Sequence, residues 1–396
     1  MNTHSASLSR RRLVFGAGAA SVLGLAGCTA PPPAATTTQP PRARLRLIGE
    51  SLFAHRLQFQ GSTVGGLSGI DYDPAADLYY LVSDDGASSS ASPARFYTAR
   101  IALGMDRLGE PELLGVSTLR QADGKPYPSA LQGGPVPDPE AIRWRAASNT
   151  LLWTSEGHAA TGTAPWLREA RPDGSFVREF ALPAMFNFQP GAGPRGNLTL
   201  EGLALAPDGR TAWIAMENAL LQDGPVPTVE APGGPCRFTQ IDLVSGKTLR
   251  QIAYVPDAIP RPPVPPTAFA DNGVSEVLML DAERMLVLER AYMAGWGTGA
   301  GNSLRLYLID TRQASDTLAL AALQPGNYRA AGKTLLADFS AFTGAGAGPR
   351  LKRLDNTEGM SWGPVLPNGR RSLMFISDDN FSARQISQWL AFEFLD

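Results

Sequence analysis

Histidine and cysteine are scarce in this chain, and their scarcity excludes chemistry before any motif is read. Among 396 residues there are three histidines, His4, His55 and His158, and two cysteines, Cys28 and Cys236. A zinc centre built on several imidazoles or thiolates would lack ligands. A Ser-His-Asp triad would have to recruit His55, or His158 just beyond Glu156. Only Cys236 lies beyond the first 28 residues, so the body of the chain has no intramolecular disulfide and rests on packing. Charged residues are few at 18% and the formal net charge is −2, with no basic stripe, which argues against a nucleic-acid partner. The apolar run over residues 13–27 is too short to span a bilayer.

Glycine and proline, by contrast, are abundant, at 41 and 33 residues, beside a hydrophobic content of 43%. That balance favours many short strands joined by turns over long surface helices. Residues 1–27 read as an address. SRRRLVF resembles the twin-arginine export motif, and LAGC, ending at Cys28, resembles the lipobox of bacterial lipoproteins. Cleavage before Cys28 and acylation of its thiol would give a periplasmic or cell-envelope protein held to a membrane by lipid. Residues 28–43, rich in Pro, Ala and Thr, read as a linker, and residues 44–396 as the folded body.

Within that body a two-part phrase recurs five times: a polar residue and a small or aliphatic one open an apolar strand, and an acid closes the next. The copies are Ser68-Gly69 with Asp84, Glu140-Ala141 with Glu156, Glu201-Gly202 with Glu217, Glu276-Val277 with Glu289, and Glu358-Gly359 with Asp378. Each begins a run of about four strands, for example EGLALAP, TAWIAMEN, CRFTQIDL and TLRQIAYVP. The fifth run has only three, EGMSWGPVL, SLMFISDD and QWLAFEFL, while RLRLIGESLF at the start of the body has no run of its own. The expected fold is an all-β propeller of five four-stranded blades, its ring closed by the N-terminal strand completing the last blade. Six blades are the alternative, because the stretch between the fourth and fifth phrases is long enough to hold more strands.

In an antiparallel hairpin the start of one strand lies beside the end of the next, so each phrase places its polar pair at one edge of its blade. The long segments 86–93, 121–137, 157–164, 183–199, 219–235, 258–272 and 291–302 fall on the same side. Such a face is where a rigid scaffold carries its chemistry. Gathered carboxylates repel one another, so cations should accompany them. Calcium is the candidate ion, because Asp84, Asp85, Glu156, Glu276, Glu289, Asp378 and Asp379, with Asn218, Asn272, Asn356 and Asn380, offer only oxygen donors. Asp84, Glu140, Glu201, Glu217, Glu358 and Asp378 are the candidate catalytic carboxylates, and Arg95, Arg195 and Arg290 the candidate holders of an anionic substrate. The plain alternative is that these acids clamp loops. Two fragments that imitate nucleotide motifs fail: SGKT at 245–248 lacks the glycine a P-loop requires, and GWGTGAG at 295–301 lacks the flanking strand and helix of a dinucleotide site.

The ordered phrases GGLSGIDYDP, DPEAI, LEGLALAPDGRTAWIAMENALLQDG, NGVSEVLML and DNTEGMSWGP with LMFISDDNF resemble the phytase-like family of bacterial exported proteins, described as having esterase-like activity. The resemblance covers roughly residues 60–393. It implies a propeller and hydrolysis of a small anionic phosphoester or related ester. A non-catalytic envelope lipoprotein and a lactonase-like propeller are the other two readings.

Overall fold

The computed structural model describes residues 44–85, 92–129, 131–297, 299–346 and 348–395. The leader, the lipobox and Cys28 lie outside them.

Five four-stranded antiparallel sheets form a ring, a five-bladed β-propeller. Blade 1 runs Leu67–Asp73, Leu78–Ser83, Arg95–Arg100 and Glu112–Thr118 from the axis outward. Blade 2 begins with Pro139–Arg145 and Thr150–Ser155, blade 3 with Leu200–Leu205 and Thr211–Met216, and blade 4 with Ala270–Met279 and Arg284–Met293. Blade 5 has Asn356–Val365, Arg371–Asp378 and Gln388–Phe394, and its outer strand is Leu45–Leu52, so both ends of the body share one sheet. The long connection after the fourth blade's third strand holds a short 3-10 turn, Thr311–Gln313, and no strand among its described residues, which removes the sixth blade. One small hairpin, Gln58–Phe59 with Ser62–Thr63, was not legible in the sequence.

The core sits between blades rather than within any of them, because each sheet buries both faces against its neighbours. At the closure, Trp389 of blade 5 meets Tyr79 of blade 1 edge to face, with ring centroids 5.3 Å apart. In blades 1, 2, 3 and 5 a small residue, Gly69, Ala141, Gly202 or Gly359, follows the first polar position of the inner strand because the next blade passes within contact distance. A Cβ on Gly69 would lie 2.6 Å from the Glu140 carbonyl oxygen, and one on Gly359 would lie 2.8 Å from that of Ser68.

The innermost strand of every blade is an edge strand, and edge strands leave backbone groups unpaired. Here five such edges converge on the axis. Arg143 of blade 2, 1% exposed, donates to the carbonyls of Ile70, Ile142, Val277 and Met360, which belong to blades 1, 2, 4 and 5. Its Nη2 also lies 2.7 Å from Glu276 Oε2, and Glu276 Oε1 accepts from the backbone N–H of Leu203 in blade 3. One buried pair therefore touches all five blades.

Removing one partner of a buried pair leaves the other charge uncompensated, typically at a cost of about 3–5 kcal/mol. Arg143→Met should lower unfolding stability in denaturant titrations by that order. Arg143→Met with Glu276→Met should cost less than the two single losses added together. Additive losses would show that the two side chains act independently.

Candidate functional site

The pairing register decides which side chains meet at the mouth of the ring. In blades 1, 3 and 5 the first hairpin skips Ser68, Glu201 and Glu358, in blade 2 it skips Glu140 with Ala141, and in blade 4 it skips Ser275. These skipped residues are β-bulges, which turn a side chain out of the ladder and toward the axis. On the second strands, Ser83, Ser155, Met216, Glu289 and Ser377 pair with equivalent inner-strand residues. The residue after each is Asp84, Glu156, Glu217, Arg290 and Asp378. The blade-4 phrase read from the sequence is thus one residue out of step: its members are Ser275 and Arg290, not Glu276 and Glu289. A slip of one residue turns a strand side chain to the opposite face.

A cavity of about 1170 Å³ opens at this end of the ring, and ten carboxylates line it: Asp84, Asp138, Glu140, Glu156, Glu201, Glu217, Glu358 and Asp378 from blades 1, 2, 3 and 5, with Asp271 of blade 4 and Asp355 just before the first strand of blade 5. Arg290 of blade 4 stands among them, with Nη2 3.5 Å from Glu358 Oε1 and 3.9 Å from Glu217 Oε1. Two triplets, Asp138 with Glu140 and Glu156, and Glu156 with Glu201 and Glu217, each bring carboxylate oxygens within 4.8 Å of one another. Glu156 belongs to both, and its Oε1 also accepts from the Thr199 backbone N–H at 2.5 Å. Asn356 Nδ2 donates to Glu358 Oε1 at 2.9 Å and to Asp378 Oδ2 at 3.0 Å, fixing the blade-5 pair.

Asp138 is a cavity acid that the sequence reading missed. The signal was a third column, two residues before the bulge: Asp138, Thr199 and Asn356 where the bulge residue is Glu, but Gly66 and Gly273 where it is Ser. The glycines make room, since a Cβ on Gly66 would lie 2.0 Å from Asp84 Oδ1 and one on Gly273 2.6 Å from Glu217 Cγ. Asp271 and the rim residue Arg384 were also missed.

Burial and mutual repulsion decide the protonation of the cluster. Burial, then Asp378 and Asp138, hold Asp84 well above the usual aspartate range. Burial with Glu201 and Asp138 does the same to Glu140, and burial with Glu156 and Glu217 does so to Glu201. Glu156 is pushed up to about 7 by burial, against the Thr199 N–H that favours its charge. Burial raises Glu358, with Arg290 opposing. For Arg290 burial acts downward, but Glu358, Asp271, Glu217 and Glu201 together raise it, so it stays charged.

Several expected residues turn away from this cavity. Asp85 pairs with Arg95 at 3.2 Å inside blade 1, where Arg95 Nη2 also donates to the Thr63 carbonyl, so neither lines the cavity. Glu276 is engaged on the axis by Arg143. Glu289 is held by Lys333, the Tyr254 hydroxyl and Asn272 Nδ2. Asp379 accepts from the backbone N–H groups of Gly66 and Phe381 and lies 3.7 Å from His55. Arg195 does line the cavity, anchored by the Ala219 and Gly224 carbonyls. Asn380 lines it as well, whereas Asn218 and Asn272 face the loop network behind Glu289. The loops over 258–272 and 291–302 are shorter than expected, because residues 270–272, 291–293 and 302 belong to strands.

A family model described as phytase-like, esterase-like activity of phytase, matches residues 62–381. The chain belongs to the phytase-like family. No curated protein matches it in sequence. Similar solved structures include a mannose phosphorylase from Leishmania mexicana, at 10% identity and TM-score 0.42 with 89% of each chain covered. Another is the periplasmic gluconolactonase of Pseudomonas aeruginosa, at 12% identity and TM-score 0.33, covering 84% of this chain and 86% of that one. Their activities do not transfer to this phytase-like chain at such identities.

The raised carboxylates make a pH signature. A group with a higher pKa folded than unfolded binds more protons in the native state between the two values, so stability falls as pH rises through that window. For Glu156 the window runs from 4.5 to about 7, worth about 3 kcal/mol at about 1.4 kcal/mol per unit. In a chelating buffer, the denaturant midpoint of this phytase-like propeller should fall from pH 4.5 to 7, and Glu156→Gln should flatten the decline. A midpoint that rises across the window would contradict the protonated cluster.

Proposed function

We propose that this phytase-like propeller is a calcium-assisted hydrolase of a small phosphoester or related ester, exported by the twin-arginine route and tethered through lipid on Cys28. The observation that carries the catalytic reading is the convergence of carboxylates from all five blades on one cavity, with Arg290 among them 3.5 Å from Glu358. The lipid tether rests on the sequence motifs alone.

The donor set suits calcium. It is all oxygen, and the carboxylates of each triplet approach within 4.8 Å, compatible with an ion whose oxygen ligands sit at about 2.3–2.6 Å. Asp138, Glu140 and Glu156, and Glu156 with Glu201 and Glu217, would hold it, Glu156 serving both groups. When bound, calcium supplies positive charge that draws these carboxylates into their ionised forms and polarises an ester oxygen.

The chain's own residues account for the remaining roles. Arg290, kept charged on the cavity wall, receives the anionic part of the substrate, with Arg195 a second cation on the same lining. Across the closure of the ring, burial and Asp378 raise Asp84, while burial and Glu358 raise Asp378. With both pKa values raised, the ionised member of the pair accepts a proton from attacking water while the protonated member donates to the leaving oxygen. Asn356 and the Asn380 backbone N–H hold Asp378 in place for this.

Against a panel of phosphoesters, carboxyl esters and lactones, Asp378→Asn should lower kcat/KM by about 10²–10⁴-fold, the usual weight of general acid–base catalysis, and Glu201→Gln should lower it by weakening the hold on calcium, while the melting temperature stays high. Chelation should abolish turnover and shift the melting temperature, and calcium should restore both. Loss of stability without loss of turnover in these variants would instead make the acids loop clamps, and the absence of any hydrolysis by the wild-type protein would overturn the proposal.

A further inference from the structure

Blade 4 departs from the other blades on the cavity side. Its second strand, Arg284–Met293, has 10 residues, where those of blades 1, 2 and 3 have 6. Its first strand begins at Ala270, well before the bulge at Ser275. The extra length carries the hairpin past the level of the carboxylates and makes it a wall of the cavity.

Strand alternation sets what that wall presents. Arg290 and Tyr292 share one face and line the cavity, while Ala291 between them is buried at 2%. On the facing strand, Asp271 pairs with Tyr292, and Phe269 lies two residues further toward the mouth. Two residues of strand advance about 7 Å. An aromatic pair thus stands about one ring's length outward from the guanidinium of Arg290. Phe269 and Tyr292 are 64% and 37% exposed, with ring centroids 6.3 Å apart, and both line the same cavity. The backbone behind them is held: Tyr292 N–H donates to Asp271 Oδ1, and Ala294 N–H to the Phe269 carbonyl, each at 3.0 Å.

The neighbouring Trp296 is a useful contrast. Its ring is covered by the Arg261 guanidinium, 4.0 Å from the ring centre, and its Nε1 donates to the Pro262 carbonyl. Phe269 and Tyr292 have no cation over them and no ring partner but each other among the described residues. An apolar platform of this kind, open to the cavity and in line with the half-buried cation Arg290, matches a ligand with a flat ring face next to an anionic group.

We propose that Phe269 and Tyr292 form a ring-binding subsite that selects esters whose anionic group is attached to a six-membered ring over esters of short alkyl chains. This rests on the reading of Arg290 as the anion holder. The ring lies on the aromatic pair while its anionic substituent reaches Arg290 below.

Binding of phosphonates, which cannot be hydrolysed, tests the subsite without requiring turnover. Calorimetry in calcium-containing buffer would compare methylphosphonate, phenylphosphonate and cyclohexylphosphonate on the wild-type protein, Phe269→Ala with Tyr292→Ala, and Tyr292→Phe. The wild type should bind at least one ring phosphonate about tenfold more tightly than methylphosphonate, the scale expected of one or two aromatic contacts. The double variant should lose that preference with its affinity for methylphosphonate and its melting temperature unchanged, and Tyr292→Phe should keep it. The tighter ring probe assigns the preference to an aryl face or to a saturated, saccharide-like face. A wild type without ring preference, or a preference that survives in the double variant, overturns the subsite and leaves the anion site standing. Failure of all three phosphonates to bind overturns the anion site and the subsite with it.

Discussion

Five inner strands cannot meet around an axis without something to satisfy the backbone groups that face it, and in this propeller one arginine meets most of that demand. Arg143 donates to carbonyls of four blades, and Glu276 brings in the fifth by accepting from the Leu203 N–H. The four carbonyls, of Ile70, Ile142, Val277 and Met360, occupy the same place in each blade, two residues beyond the bulge. A single planar guanidinium with several donors can serve such a ring, whereas a lysine ammonium would offer fewer, less spread donors. The arrangement joins the blades at the position from which the cavity acids project.

The same geometry concentrates charge. A bulge at the start of each inner strand turns one side chain toward the axis, and the end of the second strand supplies another. Repeating this in five blades places many acids in one cavity, where burial and mutual repulsion disfavour their ionised forms. The propeller limits the repulsion by replacing the blade-4 acids with Ser275 and Arg290. It also keeps Gly66 and Gly273 beside the side chains of Asp84 and Glu217, leaving those carboxylates room. A bound cation would relieve the repulsion that remains, which is why the calcium reading and the raised carboxylate pKa values belong to one argument.

Much of this was legible in the chain. The blade count, the closure by Leu45–Leu52 and the acidic face all follow from a periodic pattern of strands and turns, and such patterns survive in sequence because every blade must solve the same packing problem. The register of blade 4 was not legible. Glu276 and Glu289 look like better matches to the other acids than Ser275 and Arg290 do, and chemical similarity outweighed a one-residue shift that only pairing reveals. Asp85 and Asp379 misled for a related reason, since in each Asp-Asp pair one carboxylate faces the cavity and the next, by strand alternation, turns into the blade. Arg143 looked like an ordinary strand residue because its partners are carbonyls, which carry no sequence signal.

The sequence alone determined the architecture, the ring closure and the end of the ring where the acids gather, because these depend on periodicity and on the direction of strands. Tertiary structure decided which acids share the cavity, which pair with buried cations, and that the cation among them is the blade-4 member of the repeat. Those outcomes turn on bulges and on single-residue register. A side chain one position along a strand points the opposite way, and no composition or spacing records that.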